Sequence, residues 1–325
     1  MAKSIETSLL ETLILFPGSL GDFVCVLPAL EVLKETLQIQ KMAIAVRGQA
    51  LEIASRIPWI SRRLSLDSAL FASLFSSSTT MSNEVTHLFS SISHVVSWFG
   101  HSSPEVQTKL QRLVSGSTRS FAFFNGQEKF HACQYYLRCL GSTEIRCPSL
   151  VLGVEDKKWL DAYWWFHGWR ASSRILILHP GSGGKRKRWA IEGFTRVARW
   201  WKKQINGQVV ILLGPAEESE GTLWRQEGIV ENARSLWQIG ALLSRADLYV
   251  GNDSGVSHLA GAMGARGAVV FGPTCAEQWR PLGGALTVVE NRGYRITAPE
   301  VDGISENEVP PEAVIAELAL AGGIR

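Results

Sequence analysis

Four glycine-bearing turns hold most of the side chains that could do chemistry, and each follows a short apolar run. In the first, Gly18-Ser19-Leu20-Gly21-Asp22, the glycines let the backbone turn sharply and bring N–H groups towards a ligand at a helix start. Its spacing lacks the G-x-G-x-x-G fingerprint, which argues against a dinucleotide site. Asp22 has two readings: an N-cap of the following helix, or a carboxylate placed as a general base. The second turn, His179-Pro180-Gly181-Ser182-Gly183-Gly184, leads into Lys185-Arg186-Lys187-Arg188. It fails the Walker A pattern, because His179 stands where glycine is needed and Arg186 where the magnesium-binding Ser/Thr belongs. Small residues followed by four cations suit an anion such as a pyrophosphate, or read simply as a solvated basic loop.

The third turn, Gly214-Pro215-Ala216-Glu217-Glu218, offers carboxylates for a ribose diol or for the first turn of a helix. The fourth, Asn252-Asp253-Ser254-Gly255, presents backbone donors and a hydroxyl to a phosphate, with His258 one turn along. Asp253, Ser254 and His258 are too close in sequence to orient one another as a hydrolase triad, and no G-x-S-x-G elbow is present. The spacing of Cys133, Cys139 and Cys147 fits no zinc pattern, so they read as small buried hydrophobes.

The elements that must position these turns follow a strand–helix rhythm, as in parallel α/β folds. Strands are expected at residues 9–16, 41–46, 61–67, 94–99 and 119–124, then at 174–178, 208–213, 248–250 and 268–271. Helices are expected after the first turn to about residue 37, at 49–56, from near 104 and 127, and at 155–169, 191–204, 256–263 and 311–321. The serine-rich stretch from 65 to about 80 reads as loop. Every chemical turn therefore falls at the carboxyl end of a strand, where open α/β sheets bind ligands.

Composition sets the outer limits. A chain of 325 residues, 46% hydrophobic, is longer than one core usually serves, so two domains are expected. A net charge of +3 gives no basic field for nucleic acid. Five cysteines without a C-x-x-C pair read as free thiols of a reducing compartment. The first fifteen residues do not read as a signal peptide, and no apolar run is long enough to span a membrane. A cytoplasmic protein is expected. Four of the 12 tryptophans, Trp159, Trp164, Trp165 and Trp169, fall in one predicted helix, where packing between domains is the expected use.

Taken together, the motifs resemble those of the ADP-heptose:lipopolysaccharide heptosyltransferases, glycosyltransferase family 9. The matching pieces, in family order, are Gly18-Ser19-Leu20-Gly21-Asp22 with Pro28, His179-Pro180-Gly181-Ser182 through Lys187-x-Trp189, Asn252-Asp253-Ser254-Gly255-x-x-His258-Leu259-Ala260-Gly261-Ala262, and Phe271-Gly272-Pro273-Thr274. The resemblance implies a GT-B fold, two Rossmann-like domains facing across a cleft. Residues 1–168 would bind the acceptor and residues 169–325 the nucleotide sugar.

It further implies inverting heptose transfer from an ADP-sugar to an anionic glycolipid acceptor, Kdo-lipid A or heptosyl-Kdo-lipid A, without metal or other cofactor. Peripheral contact with the inner face of the membrane would go with such an acceptor. By the same resemblance Asp22 is the general base, with Gly18, Ser19 and Gly21 on the acceptor side. The donor set is Ser182, Gly183, Lys187 for phosphate, Glu218 for ribose with Glu217 as its neighbour, and Asp253, Ser254, Gly255 and His258. The basic run leaves Lys185 and Lys187 open as exchangeable phosphate contacts. Arg47, Arg62 and Arg63 read as solvated cations before acceptor contacts. Another nucleotide sugar, a nucleotide-sugar binder without transfer, and an epimerase or hydrolase are the competing readings; an intact Asp22 argues against the binder.

Overall fold

Continuous apolar runs bounded by glycine become strands buried on both faces, the signature of parallel sheets. In the computed structural model, which describes residues 11–75, 81–232, 234–290 and 309–324, the chain divides into two compact units. The first comprises Met1–Glu128 and Ala132–Ile145, the second Lys129–His131 and Arg146–Arg325. The expected boundary at 168/169 differs from this division: the aromatic helix Val154–Phe166 belongs to the second unit.

The first unit holds β1 (Glu11–Leu15), β2 (Met42–Val46), β3 (Ile60–Ser65), β4 (Ile92–Ser97) and β5 (Thr118–Ser120), ordered β3-β2-β1-β4-β5. All pairs are parallel. Leu13, Leu15, Ala43 and Ala45 meet Phe71, Phe89, Val106 and Leu110 in its core. The helix Leu20–Thr36 runs on through Pro28. The second unit holds β6 (Ile175–His179), β7 (Gln208–Leu213), β8 (Ile229–Asn232), β9 (Leu248–Asn252), β10 (Arg266–Phe271) and β11 (Ala285–Glu290), ordered β11-β10-β9-β6-β7-β8. These are parallel throughout. Both orders are those of a Rossmann sheet, with the chain reversing direction across the sheet between β1 and β4 and between β6 and β9.

Several expectations change. Leu9 and Leu10 of the first expected strand, and residues 76–80 of the serine-rich stretch, lie outside the described residues. Before that gap the serine-rich stretch is a short helix, Ala69–Ala72, and a 3-10 turn, Ser73–Phe75, because Phe71 and Leu74 are buried. β4 begins two residues early. β5 stops at Ser120, where Phe121 and Phe123 leave the sheet for an aromatic cluster. The helix expected near 127 starts at Ala132. β8, the helix Leu236–Arg245 and β11 had no counterpart in the sequence reading. Of the three neighbouring cysteines only Cys133 is buried; Cys139 is half-buried and Cys147 exposed.

Tryptophans occur in both units, Trp98 being buried in the first. Trp189, Trp201 and Trp224 are core residues. On the aromatic helix, Tyr163 donates to Glu231 at 2.7 Å. Arg245 lies 4.5 Å over Trp164 while pairing with Asp161. Trp165 and Phe166 are exposed. No helix of the described residues is long and apolar enough to cross a membrane.

One glycine is required by two constraints at once. Gly267 on β10 has φ +143°, and a Cβ there would stand 1.9 Å from the Tyr249 carbonyl oxygen of β9. Gly267→Ala therefore strains the backbone and forces the two central strands apart. The expected cost is about 3 kcal/mol or more, read from the urea midpoint of unfolding.

Candidate functional site

The donor-type residues gather at the carboxyl ends of β6 and β9, the strand-order reversal of the second sheet. The turn after β9 enters the helix Gly255–Ala262, whose N-cap is Ser254, with its hydroxyl accepting from the Ser257 amide at 3.3 Å. Asn252 is fully buried, and its side chain joins the turns. Its Oδ1 accepts the Trp189 amide at 2.9 Å and its Nδ2 donates to Pro180 O at 2.8 Å. Ser182 Oγ donates to Asp253 O at 2.8 Å, closing the second turn onto the fourth.

The four-cation run separates by partner. Lys187 Nζ contacts Asp253 Oδ2 at 2.7 Å, and Thr274 Oγ1 donates to that same oxygen at 2.5 Å. Arg188 points elsewhere, pairing with Glu217 and, at 3.1 Å, with Glu220. Lys185 and Arg186 are exposed on a 3-10 turn. Lys187 is thus the cation tied to the phosphate-type turn, at a helix N-terminus whose first amides have no intrahelical acceptor.

The third turn sets its two carboxylates in different surroundings. Glu217 is buried, its carboxylate lying against Gly181 and Gly214, whereas Glu218 is exposed. Gly183 is exposed in its turn, and Gly255 is half-buried.

Two histidines back this surface. His179 Nδ1 donates to Leu212 O at 3.0 Å. Burial holds that ring near a pKa of about 4, opposed by the Leu212 bond and reinforced by the Arg188 charge. His258 is buried behind the Asp253 turn. Desolvation lowers it to about 4 against the pull of Asp253, with His131 and Lys187 adding to the lowering. Burial thus favours the neutral form of both rings.

In the first unit, Ser19 is the N-cap of the helix Leu20–Thr36 and Asp22 the third helical residue, not the cap itself. Asp22 Oδ2 accepts the Ser19 amide at 2.9 Å and the Ser19 hydroxyl at 2.7 Å. A Cβ on Gly18 would meet both the Asp22 Cβ and the Phe16 ring at 2.5 Å, so only glycine lets ring and carboxylate stem approach this closely. Gly18 and Gly21 are buried and Ser19 is exposed. The three arginines weighed as acceptor contacts all have partners within this unit. Arg47 pairs with Asp67 at 3.1 Å and Arg62 with Glu11 at 2.6 Å, while Arg63 donates to the Ala54 and Ile60 carbonyls. Asn252 and Thr274 are legible in the sequence only as parts of motifs and Arg188 only as part of a basic run; their individual contacts emerge from the structure.

Removing the Asn252 side chain strands a buried N–H and a buried C=O. Asn252→Ala is expected to cost about 3 kcal/mol in denaturant unfolding. The unfolded His179 ring takes up a proton below about pH 6.5, the folded ring only below about pH 4. The unfolded state therefore holds more protons in that window, and stability falls as pH drops through it. His179→Gln should remove about 2–3 kcal/mol of that dependence, comparing unfolding at pH 7 and pH 4.5.

The family model for glycosyltransferase family 9 (heptosyltransferase) matches residues 149–304. No curated protein matches the chain by sequence. Among solved structures, a family 9 glycosyl transferase from Veillonella parvula superposes with a TM-score of 0.78 at 18% identity, over 97% of this chain and 98% of that one. The E. coli ADP-heptose lps heptosyltransferase II gives 0.73 at 15% identity, covering 96% and 98%. E. coli heptosyltransferase WaaC with ADP gives 0.66 at 17%, covering 96% and 100%. The fold is thus that of the GT-B heptosyltransferases, as the motifs implied. Residues 149–304, which carry the second, third and fourth turns, are thus similar to the family 9 glycosyltransferases.

Proposed function

We propose that the protein transfers heptose from ADP-heptose to the inner core of lipopolysaccharide, with Kdo-lipid A or heptosyl-Kdo-lipid A as acceptor, by an inverting displacement that needs no metal. The observation that carries this reading is the Lys187–Asp253 contact at 2.7 Å, placed on the Ser254 helix N-terminus where the second sheet reverses its order. A leaving ADP develops negative charge on its pyrophosphate. Fixed cations and oriented amides stabilise such charge without reorganising.

In this reading Lys187, Ser182, Ser254 and the Gly255 amide hold the pyrophosphate. Gly183 lines its turn, and Asp253 with Thr274 keeps Lys187 in place. Glu217 is the inward carboxylate of the ribose turn and Glu218 its solvent-side neighbour; His258 supports the turn from below as a neutral ring. Gly18, Ser19 and Gly21 shape the acceptor side. Asp22, with Oδ2 fixed by Ser19, takes the proton of the acceptor hydroxyl. The acceptor oxygen then bonds to the anomeric carbon as the bond to ADP breaks. One displacement inverts that carbon. A lipid-linked acceptor would place the enzyme at the cytoplasmic face of the inner membrane.

The test is a mass-spectrometric transfer assay with ADP-heptose and Kdo-lipid A. Wild-type protein should form heptosylated product, and Asp22→Asn should lower kcat by about 10³-fold with ADP binding retained. Full activity in Asp22→Asn would remove Asp22 from the mechanism. Tight ADP-heptose binding without transfer by wild-type protein would favour the non-catalytic binder.

A further inference from the structure

Tyr136 has zero exposure, and its hydroxyl has no hydrogen-bond partner among the described residues. Its ring is well packed: edge-on to Phe16 at 5.3 Å and to Trp98 at 5.7 Å, and tilted against Phe123 at 6.3 Å. A phenylalanine would keep every one of these contacts and would not bury an unpaired hydroxyl. Packing therefore explains the ring but leaves the oxygen unexplained, and a buried orphan of this kind calls for a functional account.

The neighbourhood supplies one. The helix Ala132–Cys139 packs against the helix Leu20–Thr36, and Tyr136 is near enough to Asp22 to feel its charge. Phe16 is close to both: its ring is edge-on to Tyr136 at 5.3 Å, and a Cβ placed on Gly18 would stand 2.5 Å from that ring and from the Asp22 Cβ alike. After burial, the Asp22 charge is the largest influence on the hydroxyl, and both push its ionisation far upward. Tyr136 consequently stays protonated and offers a donor. The other groups acting on it are Cys25 on the Asp22 helix and Tyr135 and Cys139 on its own. Tyr135 and Cys139 are likewise pushed up by burial, so neither titrates on the acid side of neutrality.

We propose that Tyr136 is a positioning residue for Asp22. Its hydroxyl donates to the Asp22 carboxylate once an incoming acceptor draws that carboxylate from the exposed Ser19 cap, holding the base ionised and aimed at the acceptor hydroxyl. Tyr136 keeps its own proton throughout; the proton leaving the acceptor goes to Asp22. This inference rests on the reading of Asp22 as the base.

Tyr136→Phe is the isosteric test, run with ADP-heptose and Kdo-lipid A across pH alongside Asp22→Asn and thermal unfolding of each variant. Losing a donor to the ionised carboxylate raises its proton affinity, so the acidic limb of the kcat profile should move up by about one pH unit. Alongside that shift kcat should fall about tenfold, with both KM values within about twofold and Tm unchanged or higher. An acidic limb that stays in place, with or without a fall in kcat, overturns the inference. If Asp22→Asn keeps wild-type activity, the reading of Asp22 fails as well. If Asp22→Asn is inactive while Tyr136→Phe is silent, only the positioning role fails.

Discussion

A polar turn can be buried only if each of its groups finds a partner, and the carboxyl edge of the second sheet is organised by that requirement. Asn252 meets it by bonding to both ends of one loop, 63 and 72 residues away in sequence: the Trp189 amide and the Pro180 carbonyl. Those two bonds bracket the segment that carries Ser182 and Lys187. The segment is therefore held at both ends, and Lys187 reaches Asp253 from a fixed base. Trp189 is locked in turn by its indole bond to Val309 at 2.8 Å and by its edge contact with Phe194. Fixed partners are what charge stabilisation needs, because a donor already in place costs nothing to reorient when charge appears.

The first unit reaches a comparable result with different means. There the support is aromatic. The residues that follow β1 and β4, Phe16 and Trp98, stand edge-on to one another, and Phe121 after β5 continues the row beside Trp98. Three neighbouring parallel strands thus end in a contiguous row of aromatic rings at the edge where Asp22 begins its helix. Asp22 accepts from the exposed Ser19 cap, and Tyr136 among these rings is the second donor proposed for it. Polar turns in one unit and rings in the other fit the two chemistries proposed for them, anion holding and proton removal.

Much of this was legible in the residues because strand, glycine turn and helix each leave a local signature. The turns at Gly18, Gly181 and Gly255 were placed correctly on that basis. What was lost depends on distance or on direction. β8 is four residues long, and β11 alternates only weakly, so neither stands out from loop. The aromatic helix gave no sign of its unit, because its partners Glu231 and Arg245 lie 68 and 84 residues away from Tyr163 and Asp161. Glu217 and Glu218 are adjacent in a turn, where one residue decides between inside and outside, and no pattern announced which. Likewise the run Lys185 to Arg188 looked like one basic patch. Its division into exposed, site-facing and structural cations follows from the positions of Asp253 and Glu217.

The central claim is that the second unit is built to hold the pyrophosphate of an ADP-sugar through Lys187. Calorimetric titration of ADP into the full-length protein, its Lys187→Ala variant and its Lys185→Ala variant tests it most directly. Wild-type protein should bind ADP one to one. Lys187→Ala should weaken that binding by about tenfold or more, the worth of one charge-assisted hydrogen bond, and Lys185→Ala should leave it nearly unchanged. Folded wild-type protein that does not bind ADP, or equal affinities in wild type and Lys187→Ala, would contradict the account.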